Sequence, residues 1–260
     1  MDPLVVATFA VVALLEIIVP LVLGYWIVRK FGVPWRIFGL GALFFIVVQV
    51  VHVPLVLVTQ TPLYFAILPF GTTAAVAVIA VYLGLLAGLF EEIGRYLVYR
   101  YYFLRRDIAL TRENGLQFGA GWGGVESIFV ALLVLTSMVS YIVITSDGSM
   151  FPLPDDPAVQ GQIEAVRALA PLDILPGLAE RMMVIPLHIA WSLMVLAAVV
   201  YGRKTLLALA ILWHAAVDAA AVYLVQMYGL FVTEAAVFVF SVIGVAYIFW
   251  EWRRMGTRAV

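Results

Sequence analysis

The chain has 260 residues, 65% of them hydrophobic and only 12% charged, with a formal net charge of −1. Soluble domains are about 45–50% apolar, so this composition, with a mean hydropathy of +1.10, excludes an ordinary soluble domain. Cysteine is absent, which excludes disulfides and thiolate chemistry.

Apolar stretches of about twenty residues, enough to cross a hydrocarbon core of roughly 30 Å as helix, recur along the sequence. The first, about 3–28, follows Met1-Asp2-Pro3 and is too long and too weakly basic at its start for a secretory signal, which predicts a retained helix. The second, about 36–58, carries Gln49 and His52. The third, about 72–101, holds Glu91, Glu92 and Arg95. The fourth, about 115–144, contains Gly119, Gly121, Gly123 and Gly124 just ahead of Glu126. Small residues let membrane helices approach closely, and this run predicts that the fourth helix packs against the third.

A connection at about 145–177 follows, with Pro152, Pro154, Pro157, Pro171 and Pro176 among acidic and small residues. Val159, Ile163, Val166 and Ala170 recur at helical spacing and predict a short helix over 158–169. The last three stretches are about 179–201 with His188, 205–228 with His214 and Asp218, and 231–251. The expected fold is all-α: a polytopic membrane helical bundle of about seven transmembrane helices. Residues 1–260 are expected to form a single integral membrane domain in the cell membrane.

Charge fixes the expected orientation. Arg29, Lys30 and Arg36, then Arg100, Arg105, Arg106 and Arg112, then Arg203 and Lys204, then Arg253, Arg254 and Arg258 fall in alternate connections. The opposite side carries Asp2, Asp147, Asp155, Asp156, Glu164, Asp173 and Glu234, balanced by Arg167 and Arg181 alone. The positive-inside rule therefore puts the N-terminus outside, the C-terminus in the cytoplasm and the 145–177 loop outside.

Ionisable residues inside membrane helices are costly and mark functional sites by default. Here they fall at one depth. Glu91 lies fourteen residues before Arg105, Glu126 fourteen after Arg112, Asp218 fourteen after Lys204, and His188 fifteen before Arg203. Each count is roughly 21 Å of helix from the basic edge. His214 and Arg95 sit about one turn nearer that edge.

Local spacing adds chemistry. Arg95 is i+4 from Glu91 and i+3 from Glu92, so it can reach either. Glu at i with a cation at i+4 is the favoured arrangement, which pairs Arg95 with Glu91 and leaves Glu92 as the expected general base. His214 and Asp218, at i and i+4, share one helix face and suit two ligands to one metal, or an imidazole oriented by its carboxylate. Gln49 and His52 are either supporting hydrogen-bond groups or packing groups. The only lysines, Lys30 and Lys204, lie outside the spans, which excludes a retinal Schiff base.

The ordered set Glu91-Glu92-x-x-Arg95, Trp122-x-x-x-Glu126, His188 and His214-x-x-x-Asp218 resembles the intramembrane peptidases related to type II CAAX prenyl endopeptidases, PrsW and APH-1, and within them the YhfC family. The resemblance runs from Gln49-x-x-His52-x-Pro54 to Asp218. It implies an endopeptidase in which a glutamate of the first motif activates water. The implied catalytic set is Glu91, Glu92, Arg95, Glu126, His188, His214 and Asp218. It departs from the prenyl proteases at Glu126, where those have His, at Asp218, where they have Asn, and in the position of Arg95, so prenyl specificity does not carry over.

His188, His214, Glu126 and Asp218 are the expected ligands of a divalent metal, zinc foremost. A metal-free version uses a Glu–His pair on the water, with His214 and Asp218 at the oxyanion. The expected partners are the lipid bilayer and a membrane-associated protein or peptide, with no nucleic acid. A non-catalytic scaffold of the APH-1 type and a proton-coupled transporter are the competing functions, although the sequence shows no repeated half of the kind transporters carry.

Overall fold

The computed structural model describes residues 1–146 and 156–256. Pro152, Pro154, Asp147, Asp155 and Arg258, used above for the loop and the charge pattern, lie outside the described residues. Within them the helices are α1 (Pro3–Phe31), α2 (Arg36–Ile67), α3 (Thr72–Leu97), α4 (Arg112–Thr145), α5 (Pro157–Arg167), α6 (Pro171–Val200), α7 (Lys204–Tyr228) and α8 (Leu230–Gly256). All but α5 are long and apolar enough to cross a membrane, and the described residues contain no strand.

Several boundaries differ from the expectation for physical reasons. α2 continues past 58 to Ile67, through Pro54 and Pro62, because membrane helices tolerate proline where neighbouring groups re-satisfy the backbone. Thr59 ties this stretch to α3, its Oγ1 donating to the Leu55 carbonyl at 2.6 Å and lying 2.5 Å from the Tyr82 hydroxyl. α3 is prolonged by a π-helical turn, Val98–Phe103, a wide turn frequent at functional sites.

α6 begins at Pro171 rather than about 179. Its first turn has Pro in a favoured position, and the Asp173 carboxylate accepts a hydrogen bond from the Ala170 amide at 2.8 Å. α5 forms the expected short helix. It buries Ile163 and turns Val166 toward the cluster of Val5, Phe9, Val12, Tyr141 and Ile174.

α6 is the central helix. In its most apolar stretch 72% of residues are buried, and it is apolar nearly all round, as a helix surrounded by others must be. It contacts α1, α3, α4, α7 and α8.

The glycines of α4 bring it against α1, α2 and α6, not against α3 as the sequence predicts. A Cβ at Gly119 would meet Ile189 and Ser192, one at Gly123 would lie 2.9 Å from the His188 Cβ, one at Gly124 would meet Pro20 and Phe38, and one at Gly121 would strike the Phe38 backbone. Between α3 and α4 the space is filled by the Trp122 indole and the carboxylate it binds.

α3 instead crosses α7, the most extensive helix pair in the bundle. Added Cβ atoms at Gly84 and Gly88 would collide with the carbonyls of Ala215 and Ile211. That small-xxx-small approach sets the turn carrying Glu91 and Glu92 directly opposite the turn carrying His214.

Candidate functional site

Adjacent residues on a helix point about 100° apart, and α3 sends its two glutamates to different neighbours. Glu91 Oε1 accepts from Gln49 Nε2 of α2 at 3.1 Å. Its Oε2 accepts from Trp122 Nε1 of α4 at 2.8 Å and from Arg95 Nη2 at 3.2 Å. Glu92 is fully enclosed. Its Oε1 meets Arg95 Nη1 and, at 2.6 Å, His214 Nδ1 of α7.

Arg95, also fully enclosed, stacks over the Trp122 ring at 4.4 Å and contacts His188 Nδ1 at 2.7 Å. The expected exclusive Arg95–Glu91 pair is thus replaced by one guanidinium shared between both carboxylates. The cause is spacing: i+3 and i+4 both lie within reach of a planar fork with five donors.

A guanidinium only donates, so His188 Nδ1 accepts and Nε2 carries the proton. That Nε2 faces Glu126 Oε2 at 2.6 Å. The other Glu126 oxygen accepts from Arg181 Nη1 at 2.8 Å, and Arg181 also bonds Glu180. His214 lies between Glu92 and Asp218, with Nε2 3.6 Å from Asp218 Oδ2, and stacks flat on Trp191 at 4.0 Å. The two imidazole rings are 5.8 Å apart.

These groups surround a cavity of about 80 Å³ whose wall includes Glu91, Glu126, Arg181, His188, Trp191, His214 and Asp218. Of the seven residues expected from sequence, five line it, while Glu92 and Arg95 lie behind the wall.

The expected metal set is divided in the same way. Among the described residues, ligand atoms of Glu91, Glu126 and His188 all lie within 4.8 Å of one another. His214 is drawn away from that group by Glu92 and Trp191, and Asp218 goes with it.

Arg181 is the principal residue the sequence reading misplaced. Counted with the external charges, it sits inside α6 with its side chain nearly buried. The signal was present: Arg181 lies seven residues before His188, two helical turns, and therefore on the same face. Glu16 was passed over entirely. It is fully enclosed in α1, and both of its carboxylate oxygens lack a hydrogen-bond partner among the described residues.

Residues 12–239 match the family described as YhfC intramembrane metalloprotease. The chain belongs to the YhfC family. It is 33% identical over 227 residues, covering 79% of each chain, to a Bacillus subtilis (strain 168) protein named as an uncharacterized membrane protein YhfC. No solved structure gives a significant match. Seven apolar helices and this membership make the chain a multi-pass membrane protein.

The YhfC description implies a metal, and the residues present fit one. Two carboxylates and an imidazole are a donor set that zinc and related divalent ions accept, and three protein ligands with an open position are the usual form of a catalytic zinc site.

Proposed function

We propose that this YhfC protein is an intramembrane metalloendopeptidase that hydrolyses a membrane-associated protein or peptide at the cavity between α3, α4, α6 and α7. The observation that carries the reading is the Glu91–Glu126–His188 group, set within 4.8 Å in the cavity wall and backed by buried arginines on two sides. These three residues would hold the divalent metal, zinc foremost. When bound it supplies a water of lowered pKa and a positive charge for the developing oxyanion.

The chain's own groups do the rest. Arg95 holds Glu91 and Glu92 together and fixes His188 with Nδ1 as acceptor, leaving Nε2 directed to the cavity. Arg181 does the same for Glu126 from the opposite side. Glu92, anchored by Arg95, accepts from His214 Nδ1 and so presents His214 Nε2 to the cavity beside Asp218. In this proposal the His214 Nε2 takes the proton of the attacking water and returns it to the leaving amine. Glu92 therefore orients the base instead of acting as one, a different division of labour from the one the helix spacing alone suggests. In this proposal the single domain has its N-terminus outside and its C-terminus cytoplasmic, the orientation that the positive-inside rule favours for its basic connections.

Quantitative profiling of protein N-termini in membranes tests the activity without a known substrate. Membranes carrying the wild type should contain new N-termini that vanish in both His188→Ala and Glu126→Gln at equal protein level. Identical profiles in all three would replace the protease by a non-catalytic scaffold.

A further inference from the structure

We propose that Gln49 and His52 of α2 form a positioning relay that fixes Glu91 in one orientation. Among the described residues Glu91 is the cavity carboxylate with the most donors, and Gln49 is the one of them on α2. A carboxylate only accepts, so the Gln49 amide must present Nε2 to Glu91 Oε1, at 3.1 Å. Its other end, Oε1, then faces His52 Nδ1 at 2.9 Å. Because an amide oxygen only accepts, His52 Nδ1 must carry the hydrogen.

The reason for a second residue is the symmetry of the amide. Turned by 180°, Gln49 would set its oxygen against the Glu91 oxygen, with two acceptors facing each other. His52 Nδ1–H forbids that turn, since it would then face the amide NH₂. The His52 ring is itself held, stacked at 5.3 Å and 18° on Phe90, the residue before Glu91. Gln49 and His52 are i and i+3 on α2, so one helix turn carries the whole relay. The remaining ring atom, His52 Nε2, is buried with no hydrogen-bond partner among the described residues, consistent with a ring placed for what its other nitrogen does. Partners of this kind, which orient a ligand from behind, typically change metal affinity by about 10–100-fold when removed.

The relay rests on the site reading only for its consequence, and its geometry can be read without metal or substrate. The chain has only 3 histidines, so nitrogen-15 NMR of histidine-labelled protein in detergent, assigned with a His52→Asn variant, reports the His52 tautomer directly. The expected result is a protonated Nδ1 and an unprotonated Nε2 in the wild type, with that preference lost in Gln49→Leu. A protonated Nε2 with a bare Nδ1 in the wild type would overturn the relay.

Competition for Co²⁺ supplies the second readout. An asparagine amide nitrogen overlays histidine Nδ1, and a glutamine amide nitrogen overlays Nε2. His52→Asn should keep Co²⁺ affinity close to the wild type, whereas His52→Gln and Gln49→Leu should lose about 10–100-fold. Equal losses in His52→Asn and His52→Gln would overturn the relay in favour of simple ring packing. If the wild type takes up no Co²⁺, the metal-centre reading fails, and the tautomer alone decides the relay.

Discussion

Replacing Arg95 by Met is expected to be the most destabilising single change in the protein. The guanidinium is fully enclosed and contacts Glu91, Glu92 and His188 while lying on Trp122. Breaking a buried ion pair by removing one partner costs roughly 3–5 kcal/mol, because the other charge is left without compensation. Here two carboxylates are left. Thermal unfolding in detergent should show a large fall in Tm for Arg95→Met, partly recovered when Glu92→Gln is added, since that removes one of the stranded charges. An unchanged Tm for the single variant would mean that the ion-pair network contributes little to stability.

The second large effect concerns turnover alone. Glu92 touches His214 at 2.6 Å but lies outside the cavity wall. His214→Gln removes the proposed base, and a positioned acid–base group contributes about 10²–10⁴-fold. Glu92→Gln keeps the shape of the side chain but weakens its hold on His214 Nδ1–H, so it should lower kcat more than it alters KM. Once N-terminal profiling has supplied a cleavable substrate, steady-state kinetics on both variants measure this. Glu92→Gln with an unchanged kcat would show that His214 needs no orienting carboxylate.

Much of this site was legible because membrane helices make depth a matter of counting. Residues fourteen or fifteen positions from the basic edge on four different helices were bound to meet if those helices packed together. Rotation was harder to read. The Gly119–Gly124 run was an obvious place for close approach, yet glycines spaced by one or two residues face several directions at once, and nothing in the run names its neighbours. The contact that sets Glu92 against His214 uses Gly84 and Gly88, two ordinary glycines inside an apolar stretch, opposite Ala215 and Ala219.

The expected ligand set joined His188 and His214 because both are imidazoles at one depth. The structure separates them, since Glu92 and the flat Trp191 ring hold His214, while Arg95 and Glu126 hold His188. Arg181 was misplaced because it fell only two residues inside the expected start of its span and was counted as a terminal charge, whereas α6 begins at Pro171.

Elemental analysis of detergent-purified protein tests most directly which residues hold the proposed metal. The wild type should carry about one divalent ion per chain, zinc foremost, as expected for one catalytic site. His188→Ala and Glu126→Gln should lose it, whereas His214→Ala should keep it while losing turnover. Metal retained in His188→Ala, or lost equally from His188→Ala and His214→Ala, would contradict the Glu91–Glu126–His188 centre.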